Sequence, residues 1–249
     1  MKKILFFLIL GTLVFAKSLN IYTYTLFLDY KEYQNGAVID KDYSNGAEIL
    51  GAGIEYRDNL DKFYYSLKFE GSYGSSTYEG ATWDGQPLKN KNHGFYLYNL
   101  KADMGVRYLF LSLGYREWNR GKSSYQGDYD EVYYWGYWGI KYEYPFIAQN
   151  FAFIPQISYL MAINPKLKVK LGNSPTLDLG DTIGRNLVLP LFIKYNDSLA
   201  FNVYYRFEYW HISRSKTYPL FLDGKTYYIY EPESETKNQY VGIGLLYKF

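Results

Sequence analysis

The chain has 249 residues, with 27 Lys and Arg against 25 Asp and Glu, a formal net charge of +2, two histidines and no cysteine. That balance offers no electrostatic footprint for nucleic acid and no solvated acidic tail, and the lack of thiols excludes disulfides and thiolate metal sites. Aromatic residues reach 21%, led by 32 tyrosines, whose apolar ring and water-seeking hydroxyl suit a membrane–water interface.

The first residues, MKKILFFLILGTLVFA, combine a charged start (Lys2, Lys3), an apolar run (Ile4 to Phe15) and a small-residue end at Ala16. These are the parts of a cleaved secretory signal over residues 1–16, and the run is shorter than the roughly 20 residues of a bilayer-spanning helix. No cysteine comes after it to carry a lipid. Removing Lys2 and Lys3 brings the formal charge to zero, leaving residues 17–249 as one exported domain. Beyond Ala16 there is no long apolar run, which excludes α-helical spans.

The exported domain alternates with a period of two. Strands are expected at about 19–32, 46–57, 62–73, 93–106, 108–118, 131–144, 151–163, 187–195, 199–213 and 239–249. From Leu199 to Tyr209 the odd residues are Leu, Phe, Val, Tyr, Phe and Tyr, while the even ones include Asn202, Arg206 and Glu208. Such a period sends the two sets to opposite faces of a strand. The last strand sets Val241, Ile243, Leu245, Tyr247 and Phe249 on one face, and Tyr96 to Tyr108 repeats the pattern opposite Lys101, Asp103 and Arg107. The polar face carries charges of both signs and the apolar face has aromatics at its ends. That is a barrel in lipid, with a polar lumen and an outer apolar band between aromatic girdles, closed so that every backbone group is paired.

Connections alternate in length. The short ones are DNLD (58–61), a reversal near Arg107, PFIAQN (145–150) and NDS (196–198). The long ones lie near 33–45, 74–92, 119–130, 164–186 and 214–238, as expected for short periplasmic turns and long extracellular loops. The stretch Gly105 to Gly114 lacks clear turn chemistry. A reversal there gives ten strands and puts both termini on the periplasmic side; eight or twelve remain open.

The tail Gly244-Leu-Leu-Tyr247-Lys-Phe249 resembles the C-terminal signal of Gram-negative outer-membrane β-barrels, a glycine followed by alternate hydrophobic residues and a terminal phenylalanine. The resemblance covers essentially the whole exported chain and implies an all-β, transmembrane, antiparallel up-and-down barrel in the outer membrane. It implies that Gly244, Tyr247 and Phe249 are read by the barrel-assembly machinery. Outer-membrane lipid and lipopolysaccharide are the expected surroundings, and a monomer is the expected state. Gly242 fills a position that is usually polar in that signal.

Parity assigns a lumen charge network to Lys68, Glu70, Lys101, Asp103, Arg107, Lys141, Glu143, Arg206 and Glu208. Spacing of two residues suggests the pairs Lys68 with Glu70, Lys101 with Asp103, and Arg206 with Glu208, because buried charges need partners. In a barrel of eight to ten strands, side chains largely fill the interior. A mostly plugged lumen is the expectation, and a narrow pore for small solutes is the alternative.

His211-Ile-Ser213 is similar to the outward His-x-Ser pair of outer-membrane lipid A deacylases, in which a glutamate completes the set. The resemblance makes His211, Ser213 and Glu231 or Glu233 the catalytic candidates, with histidine deprotonating serine while the acid orients the ring. The chain departs from that family in its Ser213-Arg214-Ser215 context and its larger size. Omptin proteases, which are ten-stranded, use paired acids and an Asp-x-His motif; Glu208-Tyr-Trp-His211 differs in spacing, and Asp128 and Asp130 read as a solvated pair. Two distant histidines offer no metal site, LDLGD (177–181) lacks calcium-loop spacing, and no cofactor is expected. WDGQP (83–87) and LDGK (222–225) read as loop turns, and the aromatics of YQGDYDEVYYWGYWG (125–139) as girdle. The expected role is therefore structural or surface-interacting, without catalysis.

Overall fold

A computed structural model describes residues 17–82, 85–123, 130–170, 174–222 and 224–249. Residues 1–16, the expected signal, lie outside the described residues, as do Trp83, Asp84, Asp128 and Asp223. Ten long strands form a closed antiparallel ring. They are β1 (Ser18–Phe27), β2 (Ile49–Leu60), β3 (Phe63–Ala81), β4 (Pro87–Val106), β5 (Leu109–Asn119), β6 (Glu131–Glu143), β7 (Gln156–Val169), β8 (Thr182–Lys194), β9 (Leu199–Ile212) and β10 (Glu233–Lys248). Each pairs with the next, and β10 returns to β1 from Ser18↔Lys248 to Phe27↔Gln239. Shorter strands bring the total above ten, to eighteen among the described residues.

Both faces follow the alternation. On β9, Asn202, Tyr204, Arg206, Glu208 and Trp210 are buried while Phe201 and Val203 are each 47% exposed. Ile21, Ile54, Leu67, Leu100, Leu111, Ile140, Ile157 and Ile243 extend that exposed apolar band round the ring. An exposed aliphatic girdle over a charged interior inverts a soluble core and is the membrane-spanning arrangement.

At the end carrying both termini the turns are short. Asp61–Lys62 and Arg107–Tyr108 each join strands through two residues, with φ of +57° at Asp61 and at Arg107. The reversal inside Gly105 to Gly114 is therefore real, with a non-glycine residue at the positive-φ position of each turn. The β6–β7 connection is longer than the expected 145–150 turn: Phe146–Ile147 pairs with Phe151–Phe153, which also pairs with β8, and β7 begins at Gln156. Asn196 holds the turn between β8 and β9 by accepting from the Ser198 and Leu199 amides at 3.0 and 2.8 Å.

The far end is much taller than the composition suggests. Residues 74–92 are not a loop: β3 has 19 residues and β4 has 20. At about 3.3 Å per residue these strands are roughly 60 Å long, whereas about 9–11 residues cross a bilayer. Their outer faces carry Glu79, Lys89, Lys91 and His93 instead of aliphatics, as water-exposed strands do. A bulge at Gly94, with φ of +77°, flips β4 so that Phe95 and Leu97 both point into the barrel beneath it. The expected strand 19–32 also divides at Leu28. Residues Asp29–Gln34 and Ala37–Tyr43 form a hairpin over Asn35-Gly36, and it fills the wall between β10 and β3 above β1 and β2. A second hairpin, Tyr218–Leu222 with Lys225–Ile229, pairs with no ring strand, and its Tyr218 and Ile229 pack against the core.

Candidate functional site

The lumen is built from inward side chains of neighbouring strands. Tyrosine on one strand lies over glycine on the next: Tyr22 over Gly53, Tyr24 over Gly51, Tyr137 over Gly114 and Tyr204 over Gly242. A Cβ at any of these glycines would fall within 2.4 Å of the ring, so only glycine admits so flat a tyrosine there. This accounts for Gly242, where the assembly-signal pattern has a polar residue.

Eight of the nine expected lumen charges meet inside. Lys68 reaches Glu70 at 3.0 Å, Lys101 and Lys141 reach Asp103 at 3.1 and 2.8 Å, and Lys141 also reaches Glu143 at 3.0 Å. Arg206 and Glu208 do not pair with each other. Arg206 bonds Glu70 at 2.6 Å across the lumen, and Glu208 takes Arg116 at 2.8 Å. Arg107 is not in the network: it sits exposed on its turn, 5.3 Å over the Tyr108 ring. The alternation ends where φ turns positive, so parity stops assigning faces there. Glu55, Arg57 and Arg116 were missed; Arg57 bonds Glu55 at 2.7 Å and approaches Glu143 at 3.5 Å. Extending the parity of β2 and β5 finds all three.

Open space is unequal along the axis. A mainly apolar cavity of about 360 Å³ lies at the terminal end, lined by Phe192, Ile154, Leu246 and Phe249 among others. It shares Asn20, Glu55, Arg57 and Phe192 with a smaller mid-lumen cavity of about 70 Å³. Above it Arg116, Glu208, Trp135, Trp210 and Tyr240 are buried in one layer. Arg206 lies 3.6 Å over Tyr240, Trp135 and Trp210 meet edge to face at 5.2 Å, and Tyr240 donates to Glu208 at 3.0 Å. The next layer stacks Trp118 on Tyr133 at 4.7 Å, with Tyr30 at its edge.

At the far end, above the apolar band, a cup of carboxylates surrounds one guanidinium. Arg120 bonds Glu32, Asp42 and Glu131, each at 2.6 Å, and approaches Asp40 at 3.4 Å, over the Tyr30 ring. Glu231 accepts from Tyr30 and Tyr133 at 2.9 and 2.8 Å, and its backbone is held by Ser215. A cavity of about 270 Å³ opens among Glu32, Asp40, Glu131 and Glu231. Burial, then neighbouring acid, raises the Asp40 and Glu231 carboxyls well above their ordinary range; Glu32 and Asp42 are also raised by burial, against the pull of Arg120. Its parts come from five chain segments far apart in sequence, and no local motif announced them.

On the outer wall, His211 Nε2 lies 3.5 Å from Ser213 Oγ, and His211 Nδ1 lies 3.8 Å from Glu233 Oε1. Glu231 is not part of this group, because it points into the cup. Glu208 faces the lumen and His211 the exterior, so those two do not meet. Asp130 is buried and bonded to Asn119 and Lys170 at 2.9 Å each, and is not a solvated loop acid. In LDLGD, Asp178 is exposed and pairs with Lys166 at 2.9 Å. Among the described residues no group of three His, Asp or Glu side chains is arranged to hold a metal. In the tail, Gly244 pairs with Tyr22 and Asn202, Tyr247 and Phe249 face outward, and the Phe249 amide donates to the Lys17 carbonyl at 3.0 Å.

No protein-family model matches the chain, and no curated protein matches it in sequence. Among solved structures it is similar to the outer membrane protease OmpT from Escherichia coli, with a TM-score of 0.60 and 12% identity over 94% of this chain and 97% of that one. The translocator domain of autotransporter NalP from Neisseria meningitidis gives 0.46 and 13% over 93% and 88%, and Neisserial surface protein A gives 0.39 and 10% over 93% and 97%. At such identity the likeness concerns architecture: the chain has the fold of the small outer-membrane β-barrels.

Proposed function

We propose that this protein is a monomeric outer-membrane barrel of a Gram-negative bacterium, closed to solutes, that works by presenting its tall cup and loops outside the cell. The observation that carries this is the buried layer of Arg116, Glu208, Trp135, Trp210 and Tyr240 across the lumen. Charges held in such pairs are costly to separate, so the layer favours a plug over a narrow pore. The terminal end then faces the periplasm, the far end faces outward, residues 1–16 direct export, and the Gly244 to Phe249 tail serves assembly. The assignment of sides is tested by an epitope inserted at Gly85, at the far-end tip of the β3–β4 hairpin, or beside Asp197 in the turn before β9. Antibody should label intact cells carrying the first insertion, and cells carrying the second after permeabilisation alone. The reverse pattern, or recovery from the soluble periplasm, contradicts the reading.

A second reading is a hydrolase acting on outer-leaflet lipid. It is supported by the order Ser213, His211, Glu233, in which each ring nitrogen faces the group that a serine–histidine–acid relay requires. If that reading holds, expression shortens lipid A by one acyl chain, and His211→Ala abolishes the change. Unchanged lipid A mass with the wild-type protein removes it.

A further inference from the structure

The two cavities of the terminal half adjoin and differ in polarity. They share Asn20, Glu55, Arg57 and Phe192, where the mid-lumen space of about 70 Å³ meets the larger one of about 360 Å³. The larger is mainly apolar, with Ile154, Phe192, Ala200 and Leu246 in its walls. It reaches the turn of Lys194 and Asp197, whose side chains are 46% and 98% exposed. The smaller has four cations among its described lining residues, Arg57, Lys68, Lys101 and Arg206, against three acids, Glu55, Asp103 and Glu208. Asp103 and Glu208 keep only 6% and 5% of their side chains exposed, whereas Lys68 and Lys101 keep 20% and 13%. Glu55, the acid that does reach the space, is bonded to Arg57 at 2.7 Å. An independent observation comes from the strand register. Lys68 and Lys101 lie directly opposite each other on β3 and β4, and like charges so placed repel. Their partners are Glu70 at 3.0 Å and Asp103 at 3.1 Å. Glu70 also takes Arg206 at 2.6 Å and Asp103 takes Lys141 at 2.8 Å, so neither lysine has an acid to itself.

We propose that the lumen holds a single-chain aliphatic carboxylate, its head on Lys68 and Lys101 and its chain in the apolar cavity towards the terminal end. Each ammonium has three donors, more than its carboxylate partner occupies. An ionised carboxyl is acceptor-only and takes charge-assisted bonds from two ammonium groups at once, which offsets their repulsion. A cationic head would add to it. The smaller cavity has room for about five waters at roughly 15 Å³ each, which admits a carboxylate and excludes a glycerophosphate head. The larger cavity has more than twice the roughly 150 Å³ that admits a benzene ring, so a chain of about ten carbons fits. Burying that chain removes its methylenes from water, while the polar end of the space keeps the head out of hydrocarbon. The order of polarity along the lumen thus matches the order of polarity along the molecule. The inference needs the larger cavity to open at the terminal end, whichever side of the membrane that end faces, and does not depend on the plug.

Carbon-13 NMR of carboxyl-labelled decanoate, titrated into the folded full-length barrel in amphipol, reads the head directly. A saturable signal of one decanoate per barrel should appear, shifted from that of decanoate in amphipol alone. Acetate, which lacks the chain, and decyltrimethylammonium, which reverses the charge, should compete about tenfold or more weakly than unlabelled decanoate. Lys68→Met and Lys101→Met should each weaken decanoate by about tenfold or more, and Ala200→Trp should exclude the chain. Should Ala200→Trp fail to fold, Ala152→Trp in the wall of the same cavity replaces it. Equal competition by decyltrimethylammonium overturns the proposal in favour of plain apolar partition. Tighter binding of lysophosphatidate overturns the carboxylate as the head. Weakening by Lys248→Met at the mouth, with none from Lys101→Met, reverses the ligand and overturns its placement. No saturable signal from a barrel that still shows heat-modifiable migration overturns the inference, while the plugged-barrel reading stands on its own tests.

Discussion

Arg206 shows how much one side chain carries inside this barrel. It bonds Glu70, covers the Tyr240 ring and borders the buried layer proposed to plug the lumen. Arg206→Met removes the charge and keeps most of the volume, leaving Glu70 with Lys68, Tyr22 and Asn99. Losing one partner of a buried pair costs about 3–5 kcal/mol, so the temperature at which the folded gel band converts to the unfolded one should fall clearly. Arg107→Ala, on the exposed turn, should leave it unchanged. Strand parity revealed Lys68, Glu70 and Asp103, but could not distinguish Arg107 from Arg206, because a turn of two residues hardly disturbs an alternating pattern. The cup adds a pH effect of definite sign. Asp40 and Glu231, with Glu32 and Asp42, have carboxyls raised by burial, facing Arg120, Glu131, Tyr30, Tyr78 and Tyr133 from the surrounding strands. The folded cup therefore binds more protons than the unfolded chain once pH passes the ordinary carboxylate range near 4, and stability falls as pH rises from there. Conversion temperatures should drop between about pH 5 and about pH 8, with a shallower slope in the double variant Asp40→Asn, Glu231→Gln. An unchanged slope contradicts the assignment.

At the scale of the element, register is pinned by the tyrosine–glycine pairs across the strands. Gly53→Val would put its Cβ 2.3 Å from the Tyr22 ring, an overpacking worth about 1–3 kcal/mol. The expected result is a lower refolding yield, partly restored by adding Tyr22→Ala. If Gly53→Val refolds like the wild type, the ring does not lie over that glycine. The membrane-spanning parts of the strands were legible because one face meets lipid and the other a polar lumen. Their tall extensions were not. Above the apolar band both faces of β3 and β4 meet water or polar groups, so a stretch such as Gly74-Ser-Ser-Thr-Tyr78 has the composition of a loop while it stands in a sheet. The bulge at Gly94 hid the extension further by reversing the parity of β4.

For the whole molecule, alternation and the spacing of turns led to an all-β transmembrane barrel, and the ring closes on ten long strands. The functional surfaces were harder to read, because they are assembled between strands distant in sequence. Arg116 on β5 meets Glu208 on β9, and Arg120 gathers acids from both strands of the Asp29–Tyr43 hairpin and from β6. Between the terminal-end cavities and the far-end cup the lumen is crossed by buried side chains, and under the proposed function that layer governs whether solutes pass. Current recording from purified protein in planar bilayers tests that layer most directly. The wild type should insert without discrete conductance steps, and Arg116→Ala with Glu208→Ala and Trp210→Ala should introduce them; regular steps from the wild-type protein would contradict the plugged lumen.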